Sequence, residues 1–251
     1  MDTAARTSTL IGVGVGPGDP QLVTLKAVAT LRAADVILVP STEASGDEAG
    51  RAEQIVLHAC PESAGKLRRV PFSMAQRTGV GTERRQSWEA SAQAAVDAFR
   101  AGAATVAFAT VGDPSVYSTF SYLAAQVRAA VPDVDVSVVP GITAMQALAA
   151  ASLTPLVEGR ESLTLVPVTA GLGAVGAALD HADTVVAYKG GRQLPGLLAL
   201  VHDRGLDGVL GVNVGLPDQT ITPLSEVESA SAPYFSTVLV APRRTSTGGS
   251  L

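Results

Sequence analysis

Short apolar runs alternate along this chain with longer stretches in which apolar residues recur every third or fourth position. The runs Thr9–Val15, Val36–Val39, Leu67–Val70, Ala104–Ala109 and Val134–Val139 read as buried strands, the second closed by Pro40. Between them, Leu22–Ala33, Ala52–Ala59, Glu83–Arg100 and Tyr117–Ala130 carry helical spacing, while Ser41–Gly50 and Pro71–Gly81 read as loops. Strands alternating with helices at this rhythm predict βαβ units and a mostly parallel sheet with flanking helices. Strands without polar alternation suit a sheet covered on both faces.

Pro140-Gly141 interrupts the rhythm and sets the expected domain boundary, 1–140 and 141–251. An alanine-rich helix follows, Ala144–Ala151. Leu163–Val168, Thr184–Tyr188, Gly208–Val214 and Ser236–Ala241 then read as strands, with helices at Gly171–Leu179 and Pro195–Val201. Spacing here is less regular and richer in turns, which predicts a second α/β domain with a mixed sheet.

The first strand runs into a turn with glycine at 12, 14, 16 and 18. Glycine lets backbone approach a neighbour where a Cβ would clash. The spacing fails the dinucleotide fingerprint: a G-x-G-x-x-G started at Gly12 meets Pro17, and one started at Gly14 meets Asp19. A carboxylate there would repel a pyrophosphate, so the turn reads as ligand-facing without being a phosphate cradle. Val111-Gly112-Asp113-Pro114 follows another strand in the same way, and Pro140-Gly141-Ile142-Thr143-Ala144 is a third such turn. In open parallel sheets ligands bind at the carboxyl ends of strands, where these turns would meet. The same residues also suit plain turns and helix caps.

Composition narrows the class. Of 251 residues, 47% are hydrophobic and 16% charged, which fits a two-faced buried sheet, and no apolar window is long enough to predict a membrane span. The net charge of −5 argues against nucleic acid as the main partner. Cys60 is the only cysteine and the histidines are scattered, so neither an internal disulfide nor a metal site is expected. With no apolar leader at Met1–Ser8, a cytoplasmic location is expected.

The stretches Val13–Pro20, Leu25-Lys26-Ala27, Ala34-Asp35-Val36, Gly112-Asp113-Pro114 and Pro140–Ala144 together resemble the tetrapyrrole methylases, the class III S-adenosylmethionine (SAM) methyltransferases. Pro71–Met74, Tyr117–Leu123 and Pro233–Thr237 look most like the branch that methylates carbon 20 of precorrin-2 in cobalamin synthesis. The resemblance implies two α/β domains with a ligand cleft between them, a homodimer, and SAM as methyl donor with S-adenosylhomocysteine as product. It implies cofactor contacts at Pro17, Val111, Gly112, Asp113, Val116, Thr143, Ala144, Tyr188, Lys189 and Gly215. The loop bearing Gly14, Gly16, Gly18 and Asp19 would face the tetrapyrrole.

Methyl transfer to carbon needs alignment and exclusion of water, not a protein nucleophile. Asp19 and Asp113 could take the proton shed by the acceptor carbon or hold pyrrole N–H groups; both also suit turn capping. Tyr117 is a third candidate, with a core or capping role as its alternative. The basic run Lys66–Arg85, with Arg77, Arg84 and Arg85, could dock the macrocycle's carboxylates or be a solvated surface. Two further readings stay open: a sister methylase acting at another ring carbon or on uroporphyrinogen III, and a non-catalytic adenine-nucleotide-binding regulatory module.

Overall fold

The computed structural model describes residues 8–41, 48–71, 82–228 and 231–244. The chain divides into two compact units, Met1–Thr143 and Ala144–Leu251.

The first unit holds five strands: β1 (Thr9–Gly14), β2 (Val36–Ser41), β3 (Leu67–Pro71), β4 (Thr105–Thr110) and β5 (Asp135–Val139). They form one parallel sheet in the order β3-β2-β4-β1-β5. The helices are α1 (Leu25–Ala33), α2 (Arg51–Ala59), α3 (Thr82–Arg100) and α4 (Phe120–Ala130). Side chains alternate between two cores. Val13, Ile37, Val39, Ala107 and Ala109 pack with Leu31 of α1 and Ile55 and Val56 of α2. Leu10, Leu38, Val106 and Phe108 pack with Val96 of α3 and Leu123 and Val127 of α4. Period-two alternation with both faces covered is what makes these strands read as unbroken apolar runs.

The second unit begins with α5 (Ala144–Ala151) and contains β6 (Leu163–Pro167), α6 (Leu172–His181), β7 (Thr184–Tyr188), α7 (Leu194–Asp203), β8 (Gly208–Val212), β9 (Thr220–Pro223) and β10 (Ser236–Val240). Its sheet is mixed, in the order β6-β7-β10-β8-β9, with β6 and β7 parallel and β10 antiparallel to both β7 and β8. Val175 and Leu179 of α6 and Leu194, Leu197 and Val201 of α7 close one face. On β8, a Cβ at Gly211 would sit 2.6 Å from Leu148 Cδ1, so the missing side chain lets α5 lie against the sheet.

Three sequence expectations change. Strand β9 is absent from the sequence reading because its four residues, Thr-Ile-Thr-Pro, carry only one strong apolar position. Helix α1 starts at Leu25, not Leu22, because Thr24 accepts a hydrogen bond from Ala27 N (3.1 Å) and ends a short turn over Pro20–Leu22. Helix α4 starts at Phe120, not Tyr117, because Tyr117 is left-handed (φ 51°).

Both units tie strand starts together with an aspartate. Asp35 Oδ2 accepts from Ala104 N (2.8 Å) and Thr105 N (2.9 Å), while Asp183 Oδ2 accepts from Ser162 N (2.7 Å) and Ser162 Oγ (2.9 Å). The Ala34-Asp35-Val36 stretch therefore serves the fold, at the edge of the first sheet opposite the glycine turns.

Candidate active site

In the first unit the carboxyl ends of β1, β4 and β5 bring the three glycine turns into direct backbone contact. Gly112 N donates to Gly16 O (2.7 Å), Gly16 N to Gly112 O (3.3 Å), and Val15 N to Thr110 O (2.9 Å). A Cβ on Gly14 would lie 2.6 Å from Gly112 O and 2.6 Å from Gly141 N, and one on Gly141 would collide with Gly112 O. Gly14 and Gly141 are thus required by backbone packing, which corrects the expectation that the Gly14 position opens onto a ligand. Gly12 faces the Phe120 ring. Gly16, Pro17 and Gly18 are buried.

Gly112 differs from Gly14 and Gly141. Its φ is +71°, left-handed like that of Gly16 (φ +78°), and the nearest atom to a built Cβ is Thr143 Cα, 3.9 Å away. Gly112 and Thr143 are both buried, so a Cβ is sterically allowed there but would fill space inside the turn. Val111, Val116 and Ala144 are each half-buried.

Asp113 locks the arrangement. Its side chain is buried; Oδ1 accepts from Ser115 N (2.7 Å) and from the Ser115 hydroxyl, and Oδ2 accepts from Gly141 N (2.8 Å). Burial pushes the carboxyl's pKa up, but the Ser115 hydroxyl and the Gly141 and Ser115 amides outweigh it, so the group stays below the usual carboxylate range. With both oxygens engaged, Asp113 is a clamp between the β4 and β5 turns. Sequence reasoning missed Ser115; the signal was the Asp-Pro-Ser spacing of an Asx turn. Asp19 is half-buried and caps the Pro20–Leu22 turn, Oδ1 accepting from Gln21 N (2.8 Å). Tyr117 follows the same loop, 41% exposed and left-handed, and burial raises its phenol pKa, so the ring keeps its proton at neutral pH.

The basic run splits. Lys66 precedes β3, so it lies at the opposite sheet edge, where its Nζ donates to Arg32 O (2.7 Å). Arg69 pairs with buried Glu53 of α2 (2.7 Å). These two hold structure, which corrects their grouping with a substrate edge. Arg77 lies outside the described residues, as do Phe72–Met74 and the Arg84 side chain. Arg85 is exposed on the first turn of α3, on the glycine-turn edge.

In the second unit, β7 and β8 both run antiparallel to β10, so their carboxyl ends share one edge. Each ends on a left-handed residue other than glycine, Lys189 (φ 61°) and Asn213 (φ 51°), with Gly215 (φ 86°) close behind. Non-glycine residues in this region carry strain and concentrate at functional sites. Tyr188 Oη accepts from Met145 N (3.0 Å) and so caps the start of α5 beside Ala144. Gly215 N donates to Gln219 Oε1 (3.0 Å).

The first unit thus gathers three glycine turns at one sheet edge, and the second unit, by itself, carries a strained mixed-sheet edge. The chain belongs to the tetrapyrrole (corrin/porphyrin) methylases, whose family model matches residues 9–228. A precorrin-2 C(20)-methyltransferase of Sinorhizobium sp. is 34% identical over 92% of this chain and 94% of its own length. The cobalt-precorrin-2 C(20)-methyltransferase of Salmonella typhimurium is 29% identical over 92% of this chain and 95% of its own. Among solved structures, a cobalt precorrin-4 methyltransferase matches with a TM-score of 0.67 at 19% identity, covering 96% of this chain and 97% of that one. A Thermus thermophilus uroporphyrin-III C-methyl transferase complexed with S-adenyl homocysteine matches with a TM-score of 0.64 at 22% identity, covering 93% and 92%.

Proposed function

We propose that this chain is a SAM-dependent C-methyltransferase acting on carbon 20 of precorrin-2, or of cobalt-precorrin-2, in cobalamin biosynthesis. The observation that carries the reading is 34% identity to a precorrin-2 C(20)-methyltransferase along nearly the whole of both chains. The left-handed Gly112 beside Thr143 supports donor binding, since a side chain in that buried turn would occupy the space next to the backbone. In the proposal, Pro17, Val111, Gly112, Val116 and Thr143 of the first unit, and Ala144, Tyr188, the Lys189 backbone and Gly215 of the second, contact the donor.

When bound, SAM supplies a methyl group activated by its sulfonium sulfur. The protein's task is to align acceptor carbon and methyl in line and to keep water out. Asp113 contributes by fixing the Gly112 and Gly141 turns, an arrangement that needs no reorganisation during transfer. The acceptor carbon must give up one proton after it takes the methyl. Asp19 suits that role better than Asp113, because capping Gln21 engages only Oδ1. Tyr117, as a neutral phenol, donates a hydrogen bond toward the ring. Gly16, Gly18, Arg84 and Arg85 complete the proposed substrate edge, with Arg77.

A homodimer and a cytoplasmic location belong to the same proposal. Among the described residues no helix is long and apolar enough to cross a membrane. Light scattering checks the assembly. Calorimetry with SAM, S-adenosylhomocysteine and NAD tests the donor: tight binding of the first two and none of NAD is expected, and the reverse would overturn the reading.

A further inference from the structure

Among the described residues, the exposed aromatic rings are Tyr117, Tyr122, Tyr234 and Phe235, each 39–47% exposed. Tyr117 and Tyr122 flank the start of α4, and Tyr122 stacks on Trp88 of α3 with ring centroids 4.1 Å apart. Tyr234 and Phe235 stand in the second unit, immediately before β10, and pack edge to face with centroids 5.2 Å apart.

The backbone carrying the pair is pinned on both sides. Ala232 N donates to Gly191 O (2.9 Å), and a Cβ on Gly191 would collide with Ala232 O, so the segment lies directly on the turn after β7. Asn213 N donates to Phe235 O (2.9 Å), which ties the other side to the strained turn after β8. Two large rings are therefore left exposed on backbone hydrogen-bonded at both ends, between the Lys189 turn and the Asn213 turn. Exposed aromatic area on pre-organised backbone is the composition of a binding surface rather than of a solvated loop. Cations accompany it: Lys189 is half-buried and Arg192 exposed in the turn that follows β7.

We infer that Tyr234 and Phe235 form the wall against which one face of the tetrapyrrole ring rests, with Lys189 and Arg192 beside it for peripheral carboxylates. The inference rests on the tetrapyrrole methylase reading above and adds the residues that select the macrocycle. A flat, largely apolar ring with acidic side chains matches aromatic faces flanked by cations. The adenine ring of the donor is the competing occupant, and the experiment separates the two.

The full-length protein and the variants Tyr234→Ala, Phe235→Ala, Tyr234→Phe and Phe235→Leu are titrated anaerobically with precorrin-2 by absorbance, and with SAM by calorimetry. Each alanine variant should raise the precorrin-2 Kd about tenfold, equivalent to about 1.4 kcal/mol, with the SAM Kd within about twofold of the parent. Tyr234→Phe, which keeps the ring, should shift the precorrin-2 Kd far less than Tyr234→Ala, with Phe235→Leu intermediate between parent and Phe235→Ala. Matching unfolding midpoints show that the fold is retained. Weakened SAM binding with unchanged precorrin-2 binding overturns the inference in favour of adenine. Unchanged binding of both overturns it in favour of a solvated pair. A parent protein that binds no tetrapyrrole overturns the functional reading together with the wall. One that binds precorrin-2 but methylates another carbon overturns only the carbon-20 assignment, and the Kd values still read the wall.

Discussion

Replacing Asp113 by asparagine tests the clamp between the β4 and β5 turns with almost no change in shape. In the parent, one carboxylate accepts three hydrogen bonds, from Ser115 N, the Ser115 hydroxyl and Gly141 N. An asparagine oxygen can replace one carboxylate oxygen only. If it faces Ser115, its NH2 group meets the Gly141 N–H, a donor against a donor. A hydrogen bond to a charged group is worth about 1.5–3 kcal/mol net, and an unsatisfied buried group costs about 1–3. The expected loss is therefore about 2–4 kcal/mol of unfolding free energy at pH 7, read by urea denaturation. The Asp113 pKa is lowered on folding, so its stabilisation is fully present above the unfolded value of about 3.9 and fades as pH falls through the lower folded value. The gap between parent and Asp113→Asn should stay flat from about pH 8 to 5 and narrow below about pH 4. SAM affinity should fall with stability, because the Gly112 and Gly141 turns loosen together. Stability within about 0.5 kcal/mol of the parent would refute the clamp. Intact stability and SAM affinity with a collapsed kcat would identify Asp113 as the proton acceptor instead.

Gly112→Val should leave the fold largely intact, because its Cβ finds only Thr143 Cα at 3.9 Å, yet raise the SAM Kd at least about tenfold through the disfavoured φ of +71° and the filled space; an unchanged Kd by calorimetry counts against the donor assignment. Leu153 sits left-handed (φ 54°) and 89% exposed just past α5, where Leu153 N bonds Ala150 O and Thr154 N bonds Ala149 O. Glycine suits that helix terminus, so Leu153→Gly should stabilise the protein by about 0.5–1 kcal/mol and raise Tm by about 1–4 °C; a lower Tm would contradict this. Arg85→Glu should raise the KM for precorrin-2 by less than about fivefold at low salt, with the effect shrinking at 0.5 M salt, as expected for an exposed charge; an unchanged low-salt KM would leave Arg85 a solvated residue.

The strands of the first unit were legible because burial on both faces makes them nearly unbroken apolar runs, as in Val36–Val39 and Thr105–Ala109. The mixed character of the second sheet was legible from its uneven spacing, but β9 was not, since an edge strand reading Thr-Ile-Thr-Pro buries too little to leave a pattern. The glycine turns were found, but the purpose of each glycine was not. Gly14 and Gly141 make room for backbone from other turns, whereas Gly112 supplies a positive φ with room for a Cβ beside it. Contacts between residues over a hundred positions apart leave no local signature. The Arg69–Glu53 pair, only 16 positions apart, was hidden for another reason: it joins a strand to the preceding helix, and a linear count of basic residues assigned Arg69 to substrate. Left-handed Lys189 and Asn213 were equally silent, because neither residue type demands a positive φ.

The most direct test of the central claim is product analysis. Purified protein is incubated anaerobically with precorrin-2 and SAM carrying a 13C-labelled methyl group, and the product is examined by mass spectrometry and 13C NMR. The expected result is one added labelled methyl, located on carbon 20, with S-adenosylhomocysteine formed in equal amount. A labelled methyl on any other ring carbon, or no transfer to either precorrin-2 or cobalt-precorrin-2, would contradict it.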